Sequence, residues 1–194
     1  MTLLRLLGVG ALLALAGTGI SSCLSQPDFP VVPTIDFKDI RVVRVPNADG
    51  GNTEVDTIFV SVNFQDGDGD LGLDPKDAAL SPFKDETGGH NNAPRYKNFI
   101  VEVFKKDRIS KQFVKFVTPL VTANSYYGRY PRLDGSIDGK PAPLKGTLTY
   151  KMPEMSINRQ SYFPGDVLRF EVSIQDRAFH ESNVITTAEV TIGQ

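Results

Sequence analysis

The 194-residue chain has no tryptophan, one cysteine and two histidines. A single Cys excludes an intramolecular disulfide, so the fold has to hold without covalent cross-links. The two His stand at no metal-ligand spacing from each other or from the Cys, which excludes a recognisable zinc site. His90, in Gly88-Gly89-His90-Asn91-Asn92, and His180, beside Glu181, read as exposed turn histidines. The lack of Trp excludes the Cys–Trp–Cys hallmark of antibody domains. Gly-x-Ser-x-Gly, His-Glu-x-x-His and the phosphate-binding Gly-Lys-Ser loop are all missing, so no nucleophile or zinc-protease motif is present. Lys and Arg number 21 against 23 Asp and Glu, a net charge of −2. That balance offers no basic surface for nucleic acid. Beyond the first 22 residues no long apolar run exists.

Within those 22 residues the pattern is that of a secretory signal. Met1 to Arg5 carries one positive charge, Leu6 to Ala16 is an uncharged apolar run, and Gly17 to Ser22 is small apart from Ile20. The apolar run is too short for a comfortable membrane span. Ile20-Ser21-Ser22-Cys23 resembles the lipobox of bacterial lipoprotein signals: an aliphatic residue, two small residues that fit a peptidase cleft, then a thiol to carry diacylglycerol. The competing reading is an ordinary signal with an incidental Cys. Cleavage before Cys23 removes one Arg and no acid, leaving 172 residues and a charge of −3. Two or three acyl chains, palmitate among them, would hold such a chain firmly, since one chain binds only marginally. The expected location is the bacterial cell envelope, lipid-anchored at the outer membrane, with the periplasmic and surface faces both open. Residues 23–33, with three prolines, read as an extended tether.

From Thr34 onward the pattern is strands. Val55 to Gln65 alternates with Ile58, Val60, Val62 and Phe64 on one face; Asp166 to Gln175 alternates with Leu168, Phe170, Val172 and Ile174 on one face. Such period-2 alternation marks half-buried strands. Ile35 to Val45, Tyr96 to Lys105, Ile109 to Val117, Leu144 to Met152 and Val184 to Ile192 complete about seven strands, separated by Gly, Pro, Asn and Asp. Residues 34–194 are therefore expected to form an all-β domain, an Ig-like antiparallel β-sandwich, with a closed barrel as the alternative. Two loops, Asp66 to Arg95 and Thr118 to Pro143, exceed what a hairpin needs, and long loops on a rigid scaffold often carry function.

The first of these loops opens with Asp66-Gly67-Asp68-Gly69-Asp70-Leu71-Gly72-Leu73-Asp74-Pro75-Lys76-Asp77. Three Asp at i, i+2 and i+4 converge in a turning chain, and close carboxylates repel unless a cation lies among them. Calcium takes six to eight hard oxygens. Counted from Asp66, the loop resembles an EF-hand with Asp66, Asp68, Asp70, Asp74 and Asp77 as metal ligands. Leu71 stands where that loop has Gly, Asp77 where it has Glu, and no helix pair flanks it. A calcium loop on a β-scaffold is one reading; a solvated acidic turn is the other. In the second long loop Tyr126-Tyr127-Gly128-Arg129-Tyr130 offers rings and a guanidinium for a protein or glycan ligand, or else rings folded back over the sandwich.

The segment Asn63 to Leu73 resembles a recurring stretch of an uncharacterised group of exported lipoproteins from Bacteroidetes-type bacteria. Their late strand often runs into an Asp-Arg-Ala…Ser-Asn…Thr pattern, here Asp176-Arg177-Ala178, Ser182-Asn183 and Thr186. The latter is also similar to the last hairpin of bacterial Ig-like repeats, Asp-x-Ala-Gly-Asn-x-Ser, with Phe179-His180 where that motif has Gly-Asn. The resemblance implies a sandwich at the cell envelope and supplies no activity. The expected function is a non-enzymatic, lipid-anchored binding or structural module, calcium-stabilised, touching the membrane through Cys23 and no nucleic acid. The alternative is an envelope hydrolase with its acids in the long loops.

Overall fold

A computed structural model describes residues 27–45, 54–118, 120–122, 124–133, 140–157 and 160–194. The signal segment and Cys23 lie outside the described residues. The strands are β1 (Thr34–Val45), β2 (Glu54–Asp66), β3 (Phe99–Lys106), β4 (Phe113–Lys115), β5 (Leu144–Lys151), β6 (Met155–Ile157), β7 (Val167–Ile174), β8 (Ile185–Thr186) and β9 (Val190–Thr191), with a short α-helix, α1 (Pro75–Ala78), and a 3-10 turn at His90–Asn92. They form two antiparallel sheets. Sheet 1 runs β1-β2-β5, with β6 also on β2; sheet 2 runs β4-β3-β7-β8, with β9 also on β7. The chain crosses between sheets after β2, after β4 and after β6, the alternation of an Ig-like sandwich rather than the closed path of a barrel.

The alternating strands bury the faces their sequences mark. Ile58, Val60 and Val62 of β2 and Leu168, Phe170, Val172 and Ile174 of β7 are wholly buried, and Phe99, Val101 and Val103 of β3 join them in one core. The register places Leu148 opposite Val62 and Tyr150 opposite Val60, so β5 adds to the same inner face. Burial of these side chains, at about 1.5–3 kcal/mol each, is the principal stabilising term.

Three expected strands are shorter or broken, each for a local reason. The strand expected from Ile109 to Val117 contracts to β4, because Asp107 Oδ1 accepts the N–H groups of Ile109 and Ser110 and holds a turn; Ile109 is 92% exposed. The last strand splits into β8 and β9, because Thr187 Oγ1 accepts the Phe170 N–H at 3.0 Å where a backbone carbonyl would. β3 begins at Phe99 rather than Tyr96, since the Lys97 N–H turns back to the Pro94 carbonyl. β6 was not foreseen; three residues after a Pro-Glu step carry too little alternation to register.

Asn183 joins the sheets at one edge. Its side chain accepts the Ile35 N–H and donates to the Ile35 carbonyl, both at 2.8 Å. An amide side chain thereby takes the place of a neighbouring strand on the free edge of β1, one way an edge is protected. The expected tether also differs from expectation. Pro33 is buried, Phe29 is half-buried, and the Pro30 carbonyl accepts the Gly67 N–H at 2.8 Å. Over these residues the segment is seated on the domain rather than extended away from it.

Candidate metal centre at one end of the sandwich

β2 ends at Asp66 and β7 ends at Ile174, on facing sheets and at the same end of the sandwich, where β3 begins. Past its end β2 continues through the aspartate loop, and Leu71 makes an antiparallel bridge to Asp176, just beyond β7. Leu71 is itself wholly buried. This bridge brings one oxygen each of Asp66, Asp70 and Asp176 within 4.8 Å of one another. Asp66 has no exposed surface and Asp176 is 3% exposed.

The hydrogen bonds around the cluster leave three oxygens over. Asp66 Oδ2 accepts the Asp70 N–H at 3.0 Å. Asp176 accepts the His180 N–H at 2.7 Å and faces His180 Nδ1 at 2.8 Å. Asp66 Oδ1, Asp68 Oδ1 and Asp70 Oδ1 are buried with no hydrogen-bond partner among the described residues. Arg177 is the nearest guanidinium in sequence, but its Nη1 donates to the Leu71 and Gly72 carbonyls at 3.0 and 3.3 Å. A buried unpartnered carboxylate oxygen costs several kcal/mol unless it is protonated or meets a cation.

The electrostatics match. Burial, reinforced by Asp68 and Asp70, pushes the Asp66 carboxyl up to about 7. Burial, with Asp176 and Asp68, also raises Asp70. The Asp176 hydrogen bond raises His180. Asp66 and Asp70 thus keep their protons to higher pH in the folded chain than they would in water. A hard divalent cation is the chemical alternative to those protons, and an all-oxygen donor set of Asp side chains suits calcium or magnesium rather than a soft metal.

The remaining expected ligands go elsewhere. Asp74 is the N-cap of α1, Pro75 is its first residue, and Asp77 Oδ2 accepts the Asp74 N–H at 3.2 Å in a capping box. Asp77 also meets Arg132 Nη1 at 3.4 Å. The EF-hand register therefore fails after Asp70. The backbone reason is that the left-handed residues are Gly69 (φ 68°) and Gly72 (φ 80°), not Leu71, where an EF-hand loop turns on its Gly. At Gly72 a Cβ would lie 2.1 Å from the Pro131 carbonyl oxygen, so the second long loop crosses there. Leu73 N–H to Tyr130 carbonyl and Leu133 N–H to Leu71 carbonyl fasten the two long loops together.

That crossing also decides the tyrosines. Tyr126, Tyr127 and Tyr130 are buried, at 7%, 1% and 5% exposure. The Tyr126 and Tyr162 hydroxyls meet at 3.0 Å, the Tyr127 hydroxyl donates to Glu102, and the Tyr130 hydroxyl donates to the Gln175 carbonyl at 3.1 Å. The rings proposed for a ligand are core rings whose polar tips are satisfied internally. Arg129 alone is exposed, with Nη1 3.4 Å from the Asp74 carbonyl. The histidines are less free than expected. His90 Nδ1 lies 3.0 Å from Glu181 with its ring edge-on to Tyr127, and His180 is pinned to Asp176.

Asp176 was missed as a site residue, although the Asp-Arg-Ala step after an alternating strand marked its position. Its partner residue Phe179 takes a left-handed φ of 69°, where the Ig-like repeat motif has Gly. That strain, about 1–2 kcal/mol, accompanies packing of its ring 5.2 Å from Phe83.

No helix among the described residues is long and apolar enough to cross a membrane. No protein-family model, curated protein or solved structure matches the chain.

Proposed function

We propose that this chain is a non-enzymatic structural or binding module of the bacterial cell envelope, held to the membrane by acylated Cys23, in which a calcium ion clamps the two sheets together. The observation that carries the calcium reading is the set of three buried, unpartnered oxygens on Asp66, Asp68 and Asp70 beside Asp176. Asp66 belongs to sheet 1 and Asp176 follows the central strand of sheet 2, so an ion bound to both ties the sandwich across its end. The role is structural because the cluster is enclosed: Asp66 and Asp176 present almost no surface to a substrate. A hydrolase would need its acids in an open cleft. The anchor reading is supported by the Ile20-Ser21-Ser22-Cys23 pattern and by the otherwise unexplained single Cys. The lipoprotein group that residues 63–73 resemble fits both.

Calorimetric titration of the full chain in mild detergent tests the metal reading. One calcium per chain is expected, with magnesium weaker, because magnesium demands a tight octahedron and gives up water reluctantly. No calcium heat above the magnesium background would overturn it. For the anchor, the wild-type chain is expected in the membrane fraction of a Gram-negative host and Cys23→Ser in the soluble periplasmic fraction. Equal partition of the two would remove lipidation from the account.

A further inference from the structure

The segment that leads into the sandwich is seated on the loop that carries the acids. Gly67 lies between Asp66 and Asp68, and its N–H donates to the Pro30 carbonyl at 2.8 Å. The fit is close. A Cβ on Gly67 would stand 2.3 Å from the Phe29 carbonyl oxygen and 2.9 Å from the Pro30 carbonyl carbon. Gly67 does not hold a left-handed φ. The turn itself would therefore accept alanine, and the requirement for glycine comes from the approach of the N-terminal segment alone.

Resting on the cation reading above, we propose that the ion at the aspartate end controls whether residues 27–33 are docked on the sandwich. With the ion bound, Asp66, Asp68 and Asp70 are held together, the Gly67 N–H stays aimed at Pro30, and the segment is seated. Without it, nothing draws Asp66, Asp68 and Asp70 together, the loop loosens at Gly67, and the Pro30 carbonyl loses the Gly67 N–H. Val31 and Val32 are already exposed, at 50% and 45%, so the apolar contacts that oppose release are those of Phe29 and Pro33. An undocked stretch of seven residues at about 3.3–3.6 Å each spans at most roughly 23–25 Å. The ion then sets how far the sandwich stands from whatever holds its N-terminus, and in the docked state it keeps the aspartate end nearest that point. Calcium level would thereby select between a close, fixed pose and a long, free leash.

The absence of tryptophan supplies the assay. Phe29→Trp in the full chain places a single indole at the docked segment. With calcium, blue-shifted emission and an acrylamide quenching constant about twofold lower than in chelator are expected, as for a locally ordered segment. Adding Gly67→Ala is expected to leave the indole red-shifted and quenchable in both conditions and to weaken calcium binding without abolishing it, because a docking that the ion favours must in turn favour the ion. If Phe29→Trp binds calcium by calorimetry yet shows the same emission and quenching with calcium and with chelator, the docking proposal is overturned and the metal site stands. If calorimetry shows no calcium binding, the cation reading falls and takes this proposal with it.

Discussion

In chelator, the melting temperature of this protein is expected to fall as pH rises from about 4 to about 7. The cause is Asp66, whose carboxyl is held up at about 7 by burial and by Asp68 and Asp70. In the unfolded chain it ionises near its ordinary 3.8. Between those values the folded state binds more protons than the unfolded state, so stability drops with rising pH. Three pH units at about 1.4 kcal/mol each set a ceiling of roughly 4 kcal/mol, and Asp70 acts in the same direction. Calcium is expected to reverse the trend, because at the proposed site it would take the ionised carboxylates. At a hundredfold excess over its dissociation constant it contributes about 2.7 kcal/mol, which for a domain of this size is a rise of roughly 5–11 °C. The calcium increment is expected to be largest above pH 7 and to shrink towards pH 5, where protons compete for the same oxygens. Scanning calorimetry at four pH values with calcium and with chelator checks this. Two superimposed curves across the series would mean that the acids are not a cation site.

The opposite end of the sandwich is expected to behave in the opposite way. Asp166, 2% exposed, lies 2.5 Å from Lys105 Nζ and 2.9 Å from Arg108 Nη2, and it accepts the Phe163 N–H at 2.9 Å. Burial raises its carboxyl, but Lys105, the Phe163 N–H and Arg108 together outweigh that and hold it below the ordinary carboxylate range. A lowered acid contributes stability above its unfolded value and loses it as pH falls through the folded one. Asp166→Ala strands the Lys105 ammonium, 18% exposed, without its partner. A loss of about 3–5 kcal/mol is expected, the usual result of breaking a buried pair from one side. Arg108 is 65% exposed, so Arg108→Ala is expected to cost under about 1 kcal/mol. Urea unfolding at neutral pH separates the two. Equal losses would show that the buried contact to Lys105 carries no special weight.

The fold was legible where alternation was long. β2 and β7 bury the residues their period-2 pattern names, because eight or more residues on a two-sided sheet leave one consistent choice of face. Legibility ended where side chains entered the backbone ladder. Thr187 interrupts the last strand and Asp107 shortens β4, and neither substitution of hydroxyl or carboxylate for a backbone partner has a period. At the candidate site, Asp66, Asp68 and Asp70 could be read from their i, i+2, i+4 spacing. Asp176 could not be paired with them, since only the approach of β7 to β2 across the sandwich brings it near. Asp74 and Asp77 carried a second signal, Asp-Pro-Lys-Asp, which is an N-cap, a first-turn proline and a capping acid. The calcium-loop register had placed them with the other acids. The tyrosines show the limit of composition: a ring with a polar tip suits a ligand surface and a hydrogen-bonded core equally, and the crossing at Gly72 and Pro131 decided between them.

An ion that bridges the two sheets, rather than occupying a self-contained loop, needs Asp176 as a ligand and does not need Asp77. Calcium titration of Asp176→Asn beside Asp77→Asn tests this most directly. Asp176→Asn is expected to lose calcium affinity by tenfold or more, on the order of one charge-assisted ligand, while Asp77→Asn, which caps α1, leaves it unchanged. The reverse outcome, with Asp77 essential and Asp176 dispensable, would restore the loop-only register and contradict a clamp between the sheets.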